Sequence, residues 1–294
     1  MTDNTEGSES WTVLKILRWT TGYFEKQGID SPRVDAEVLL ADLLEMERIE
    51  LYANFNRPMV DDELAAYRKR IKRRAAGEPC AYIVGYREFW SITLQVDQRV
   101  LIPRPDTETL VREALDIIEE HAPQTVVDVG TGSGAVAIAL GSEHPDLQIA
   151  ATDADEEALD VARQNVETHG LDETISLAHG DLLDAVDDDQ KPVDLIVSNP
   201  PYVAETERDD LQPDVRDFEP TDALFAGEDG LDVIRRLVPD AFDTLAPGGW
   251  LLFEIGYRQG DAARDILTDA GFQHVEVIPD YGDRDRVAKG RRPL

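Results

Sequence analysis

Short apolar runs alternate with segments of helical spacing from Gln124 onward. The runs are rich in β-branched residues and end at polar residues or glycine, which is typical of buried strands. Strands that alternate with helices predict an α/β domain with a parallel sheet. The predicted strands are 125–128, 147–151, 175–178, 193–197 and 250–255, the last after a turn at 247–249, with short strands near Val275 and Val287. One predicted helix begins at 135, and two others cover 156–169 and 261–269.

The first part of the chain has helical spacing instead. A first helix begins near Trp11, a second begins at Ser31, which is followed by proline, and another begins at Asp61 with acids in its first turn. Serine before proline and acids at the positive end of the helix dipole are typical of helix starts. These segments predict a small helical bundle over 11–76. We expect the polar residues 1–9 to be disordered.

Residues 81–100 alternate apolar and polar side chains, which predicts a β-hairpin. The prolines of the next segment keep the chain extended as far as Asp106, which can cap a helix running to about 120. The sequence therefore predicts three parts: a helical domain over 1–80, a hairpin linker over 81–103 and an α/β domain over 104–294.

Charge is the strongest compositional signal. The formal net charge is -32, and residues 101–294 hold 44 acidic but only 15 basic side chains. Lysine is scarce, at 6 residues against 23 arginines. Self-repulsion of this size destabilises a compact protein unless salt screens it, so we hypothesise a salt-rich cytoplasm. The same charge argues against a general nucleic-acid binder.

Other features narrow the class of protein. Cys80 is the single cysteine, which excludes a disulfide framework and a cysteine-rich metal site. No apolar targeting segment or membrane-length run is evident, so we expect a cytoplasmic monomer without a membrane partner or a metal. The run Arg68–Arg74 holds six basic residues. It is suited to contact RNA or an acidic partner, but the pattern favours a solvated helix face.

Candidate chemistry begins at the end of the first predicted strand. A glycine-rich loop, 128–134, leads into a helix, whose free N–H groups suit a carboxylate or phosphate. Asp153 follows the second strand and is placed to accept ribose hydroxyls, and Asp181 follows the third, where it could meet an adenine amino group. Carboxyl ends of parallel strands share one edge of a sheet, where open α/β folds bind ligands. The sequence therefore predicts a nucleoside site.

A second motif, 199–202, ends the fourth strand with the sequence Asn-Pro-Pro-Tyr. Each proline restricts the residue before it to extended conformations, and neither proline has an N–H. The corner therefore presents the Asn199 side-chain oxygen, the Pro200 carbonyl and the Tyr202 ring. Two acceptors beside an aromatic plane suit a substrate amide or exocyclic amine; a purely structural turn is the alternative.

The glycine loop also fits a dinucleotide pattern through Gly130, Gly132 and Ala135, so a nicotinamide dehydrogenase competes. Hydride chemistry calls for a positioned base, and none of the five histidines has a motif context; they are His121, His144, His169, His179 and His274. The nucleoside site and the corner together indicate group transfer from a nucleoside cofactor to an amine-like nitrogen.

The motifs resemble the HemK/PrmC family of S-adenosylmethionine-dependent methyltransferases, which act on a glutamine amide in peptide-chain release factors. The resemblance covers about 30–290. The matching segments are 128–134, Asp153, 199–202, Phe218-Glu219-Pro220, Gly85 with 87–90, and 101–108. It implies a Rossmann-like, seven-stranded class I domain, a small N-terminal helical bundle that recognises the release factor, and a linking hairpin.

The resemblance also implies roles for individual residues. Cofactor binding falls to Asp128, Gly130, Thr131, Gly132, Ser133, Gly134, Asp153, Asp181, Leu182 and Asn199. Many relatives carry an aromatic residue at the Leu182 position, and this chain does not. Catalysis and substrate binding fall to Asn199, Pro200, Pro201 and Tyr202. We expect the Phe218-Glu219-Pro220 part of the acidic segment 205–229 to pack near the cofactor, and the rest to be a solvated loop rather than a lid.

Three alternatives stay open at this point. A glutamine methyltransferase for a ribosomal protein shares most of these motifs. An adenine-N or cytosine-N methyltransferase shares the 199–202 corner, but no target-recognition domain is evident and the charge is unsuitable. A non-catalytic RNA-binding module would use the basic run.

We expect the melting temperature to rise across a potassium chloride series, because salt screens the repulsion among the acidic side chains. The measurement is thermal unfolding at fixed pH. A melting temperature that stays flat or falls with added salt contradicts a salt-adapted surface.

Overall fold

The computed structural model describes residues 10–186 and 191–294. The tail 1–9, for which we expected disorder, lies outside the described residues. The chain divides into two compact units, one ending at Gly85 and one running from Tyr86 to Leu294. In the part of the chain that is described, no helix combines the length and the apolar character needed to cross a bilayer.

Helices form the first unit. They are α1 (Val13–Lys26), α2 (Pro32–Leu43), α3 (Arg48–Ala53), α4 (Asp61–Ala75) and α5 (Cys80–Val84). The second and fourth begin where the sequence predicted, although Ser31 makes no side-chain capping bond. The largest fully buried side chains of this unit are Phe24, Leu39, Leu40, Leu51 and Tyr67.

The short helix α5 corrects the predicted hairpin, which was expected to start at 81. Ile83 packs in the core of the helical unit, and Gly85 ends the helix in the left-handed conformation that favours glycine. Five residues are too few for periodicity alone to separate helix from strand. The hairpin itself is shorter, with strands β1 (Tyr86–Phe89) and β2 (Ile92–Gln95).

A seven-stranded sheet dominates the second unit. Its strands are β3 (Thr125–Val129), β4 (Gln148–Asp153), β5 (Ile175–His179), β6 (Val193–Ser198), β7 (Leu245–Glu254), β8 (Gln273–Pro279) and β9 (Asp285–Arg291). The order is β5-β4-β3-β6-β7-β9-β8, and only β9 runs antiparallel to its neighbours. The sheet confirms the predicted α/β class.

The helices of this unit are α6 (Glu108–His121), α7 (Ala135–Glu143), α8 (Glu156–His169), α9 (Pro213–Phe218), α10 (Asp232–Thr244) and α11 (Gly260–Asp269). Two separate clusters of buried apolar side chains include alternating residues of the central strands. Val126 and Leu195 belong to one cluster, and Val127 and Ile196 belong to the other. Each strand is therefore buried on both faces, which explains the unbroken apolar runs in the sequence.

One helix was missed, and two local expectations were wrong. The sequence analysis did not predict α10, whose buried side chains have helical spacing but whose interior contains Pro239. The expected turn at 247–249 lies inside β7, where Gly248 takes a positive φ and the pairing with β6 shifts register. Asp106 does not cap α6; it lies in a single 3₁₀ turn and pairs with Arg286 at 3.2 Å.

Candidate active site

The carboxyl ends of β3, β4 and β6 open onto one cavity of about 570 Å³, which is also lined by the residues that follow β5. The cavity brings together the predicted glycine loop, both predicted aspartates and part of the corner. Its lining includes Asp128, Gly130, Thr131, Gly132, Ser133, Asp153, Asp181, Leu182, Asn199 and Pro201. Pro200 is buried behind this surface, and neither it nor Tyr202 lines the cavity.

The glycine loop leaves room for a ligand against its backbone. Gly130 and Gly132 have positive φ angles of 72° and 56°, and a Cβ built at either position would meet no protein atom within 4 Å. Gly134 is different, because a Cβ there would approach Ile138 Cδ1 at 3.0 Å. Gly134 is also the N-cap residue of α7 and has no side chain that could cap the first N–H groups of that helix.

Asp128 fixes the conformation of the glycine loop through two hydrogen bonds. Only 1% exposed, it accepts hydrogen bonds from the Thr131 hydroxyl at 2.7 Å and from the Ala137 N–H at 3.2 Å. Burial raises the pKa of its carboxyl to about 6, because the charged form loses its hydration. Asp128 therefore ties the end of β3 to the first turn of α7.

Asp153 lies at the end of β4 with each carboxylate oxygen already held by the backbone. One oxygen accepts the Gly132 N–H at 2.8 Å and the other accepts the Asp155 N–H at 3.0 Å. Burial raises the pKa of this carboxyl as well. The Ala154 N–H also favours the charged form of this carboxylate. Since a carboxylate offers about four acceptor positions, at least one remains for a ribose hydroxyl.

Asp181 has a partner that the sequence did not predict. Its carboxylate pairs with Arg236 of α10, and Arg236 also lines the cavity. Next to it, Leu182 has a positive φ of 50°, and its carbonyl accepts the Thr152 hydroxyl at 3.2 Å. Helix α10, which the sequence analysis did not predict, therefore lines the cavity beside Asp181, where the sequence predicted contact with an adenine.

The corner at the end of β6 is held on several sides. The Asn199 Nδ2 group donates to the Thr107 hydroxyl at 3.3 Å, and the Tyr202 hydroxyl donates to Glu254 Oε1 at 2.9 Å. The Tyr202 carbonyl accepts Gln259 Nε2 at 2.9 Å. These contacts fix both ends of the motif while the Asn199 side chain faces the cavity.

The acidic segment is more ordered than the expected solvated loop. It contains α9 and two 3₁₀ turns, 205–210 and 221–223. Glu219, which is 5% exposed, accepts Arg104 Nη2 at 2.6 Å and the Ile102 N–H at 3.1 Å. This pairing joins the proline-rich segment to the acidic segment and sets Pro220 against the cavity.

Sequence reasoning missed several contributors. Glu254 carried a signal, since it is a lone acid inside the apolar run that forms β7. Thr107, Arg236 and Gln259 carried no separate signal, because only the packing of α10 and of the strand ends brings them to the site.

Both parts of the chain match known family models. Residues 15–85 match the model described as the PrmC N-terminal domain. Residues 107–213 match the model described as the methyltransferase small domain.

Curated relatives are similar over almost the whole chain. The release factor glutamine methyltransferase of Rhodopirellula baltica is 41% identical over 288 residues, which cover 96% of this chain and 97% of that protein. The protein of the same name from Geobacter sulfurreducens is 41% identical over 98% of this chain and 99% of its own.

Among solved structures, the N-terminal domain of human METTL16 in complex with SAH aligns with a TM-score of 0.54. The alignment covers 76% of this chain and 84% of that chain at 19% identity. At that identity the likeness concerns the fold, and it confirms the expected class I methyltransferase architecture.

We expect Asp128→Asn to change how stability depends on pH. The folded pKa of about 6 exceeds the ordinary 3.8, so the wild type is favoured at low pH and loses stability as pH rises through that interval. The loss relative to the variant should approach about 3 kcal/mol, since each pKa unit corresponds to about 1.4 kcal/mol. The asparagine oxygen can still accept both hydrogen bonds.

The measurement is urea unfolding of both proteins at constant high salt, on a pH series that spans the interval. A difference in unfolding free energy that stays constant across the series contradicts the burial penalty assigned to Asp128.

Proposed function

We propose that this chain, which belongs to the release factor glutamine methyltransferase family, methylates the side-chain amide nitrogen of a glutamine in peptide-chain release factors. The observation that carries this function is the 41% identity to curated members over nearly their full length. The predicted resemblance to the HemK/PrmC family is thereby confirmed. The glutamine that we propose is that of the Gly-Gly-Gln motif.

The cavity fits S-adenosylmethionine, which supplies an electrophilic methyl group on a sulfonium when it is bound. Open space against Gly130 and Gly132 suits a ligand that touches the backbone, and the start of α7 suits a carboxylate. The remaining acceptor positions of Asp153 suit a ribose. Asp181, Leu182 and Arg236 would enclose the adenine.

Asn199 and Pro200 would hold the substrate amide. Because Asn199 Nδ2 is directed to Thr107, the Asn199 oxygen remains as an acceptor for one N–H of the glutamine. We assign the other N–H to the Pro200 carbonyl and the amide plane to the Tyr202 ring; neither residue lines the cavity, so the amide would reach them past Asn199 and Pro201, which do. Acceptors that are fixed in advance favour positive charge on the nitrogen as the new bond forms. Neither group can take the proton, which we assign to water after transfer.

We also propose the finer features of the setting. The first unit would recognise the release factor, and the enzyme would act as a monomer in a salt-rich cytoplasm without a stable nucleic-acid partner. The charge of -32 supports the last two points, because salt screens the repulsion among the acidic side chains and because a negative surface disfavours binding to phosphate backbones.

Substrate identity is tested directly. The protein is incubated with methyl-labelled S-adenosylmethionine and, in separate arms, a release factor, ribosomal proteins and DNA, and products are mapped by mass spectrometry. We expect a mass gain of one methyl group on the release factor glutamine. Labelling only of a ribosomal protein, or only of DNA, contradicts the proposal.

We expect Asn199→Ala to lower turnover about 10- to 100-fold, because a lost hydrogen bond to a buried donor costs about 1–3 kcal/mol. Cofactor affinity, measured by calorimetry, should change much less.

Asn199→Asp is the sharper comparison. It keeps an acceptor of the same size but adds a charge near the sulfonium, so we expect tighter cofactor binding and slower turnover. Wild-type turnover in Asn199→Ala contradicts the role assigned to this side chain.

A further inference from the structure

Glu254 is a buried carboxylate directly behind the corner. It is the last residue of β7 and is 0% exposed. Its Oε1 accepts the Tyr202 hydroxyl, whereas Oε2 has no hydrogen-bond partner of normal geometry among the described residues. An unpaired carboxylate oxygen away from water is costly, so Oε2 needs a donor close by.

The hydroxyl of Thr107 is the candidate donor. Thr107 is 3% exposed, and its hydroxyl lowers the pKa of Glu254 against the burial that raises it, although no hydrogen bond of normal geometry joins the two groups in this structure. Tyr202 and the charge of Arg286 act in the same direction as Thr107. Burial, together with the charge of Asp106, still raises the pKa of Glu254 overall, and the two hydroxyls and the Arg286 cation oppose that shift and favour the ionised form.

A threonine hydroxyl has a single proton. If that proton is directed to Glu254, the Thr107 oxygen can only accept from Asn199. The carboxamide of Asn199 must then turn its NH2 group toward Thr107, which agrees with the 3.3 Å contact from Nδ2. Without the carboxylate, the hydroxyl could donate to Asn199 instead, and the carboxamide could turn over.

We propose that Glu254, acting through the Thr107 hydroxyl, sets the orientation of the Asn199 carboxamide so that its oxygen rather than its NH2 group meets the substrate. The inference rests on the proposed function, because it assigns that oxygen to the glutamine amide. The same carboxylate fixes the Tyr202 hydroxyl. Glu254 and Thr107 are thus positioning residues for both side chains of the corner.

Three threonine variants isolate the hydroxyl. Thr107→Val removes the hydroxyl with little change of shape, and Thr107→Ser restores it. Thr109→Val is the matched control, because Thr109 is buried as well, at 0% exposure, but its hydroxyl has no partner among the described residues. Glu254→Gln tests the carboxylate independently, since the NH2 group of the glutamine would donate to Thr107. That would reverse the relay, by which we mean the two hydrogen bonds from Asn199 to Thr107 and from Thr107 to Glu254.

Two readouts are used. The first is solvent exchange of the Asn199 side-chain N–H groups by NMR, which needs no substrate. We expect slow exchange in the wild type, Thr107→Ser and Thr109→Val, and fast exchange in Thr107→Val. The second is steady-state methylation. We expect kcat to fall about 10- to 100-fold in Thr107→Val and Glu254→Gln with KM for the release factor little changed, because misplacement costs orientation.

The outcomes separate the two proposals. Equal exchange rates in Thr107→Val and the wild type overturn the relay, whatever the substrate proves to be, and so does full activity in Glu254→Gln. A wild type that shows protected Asn199 N–H groups but methylates no release factor overturns the proposed function and leaves the relay standing. Should Thr107→Val fail to fold, Glu254→Gln and Thr107→Ser still decide the question by both readouts.

Discussion

The structure of the candidate site depends on one backbone constraint at the end of β6. Two consecutive prolines follow Asn199, and they restrict the chain without offering an N–H to neighbouring acceptors. A corner of this kind is rigid only in its backbone, so its side chains need separate support. That support comes from Thr107 and Glu254, which lie on two other segments and reach the corner from behind.

Buried carboxylates join the segments that form the site, although most acidic side chains of this protein are exposed to solvent. Of 61 acidic residues, three at or near the cavity are at most 5% exposed, and two of them, Glu219 and Glu254, join segments distant in sequence. Asp128 ties β3 to α7, Glu219 ties the proline-rich segment to the acidic segment, and Glu254 ties β7 to the corner. Burial costs free energy for each of them, and hydrogen bonds offset that cost.

The same arrangement places binding and chemistry on separate strands. The groups suited to the cofactor follow β3, β4 and β5, while the corner follows β6, the central neighbour of β3. Because parallel strands end at a common edge, a ligand along that edge reaches the Asn199 side chain without any movement of the sheet. Arg236 extends this edge from α10 and lines the same cavity as Leu182.

Local chemistry is what the sequence by itself determined. Apolar, β-branched runs predicted β3 to β7. The glycines and prolines predicted the loop 128–134 and the corner, because glycine permits backbone conformations that other residues avoid, whereas proline restricts its own backbone and that of the residue before it. Tertiary structure decided the rest. Helix α10 was not predicted because its interior contains Pro239, and α5 was not predicted because five residues are too few to show a helical period. The hydrogen-bond partners of Asp181, Asn199 and Tyr202 lie from 52 to 92 residues away in the chain. Contacts at that separation leave no periodic pattern in the sequence from which they could be predicted, since they form only once the strands are in register.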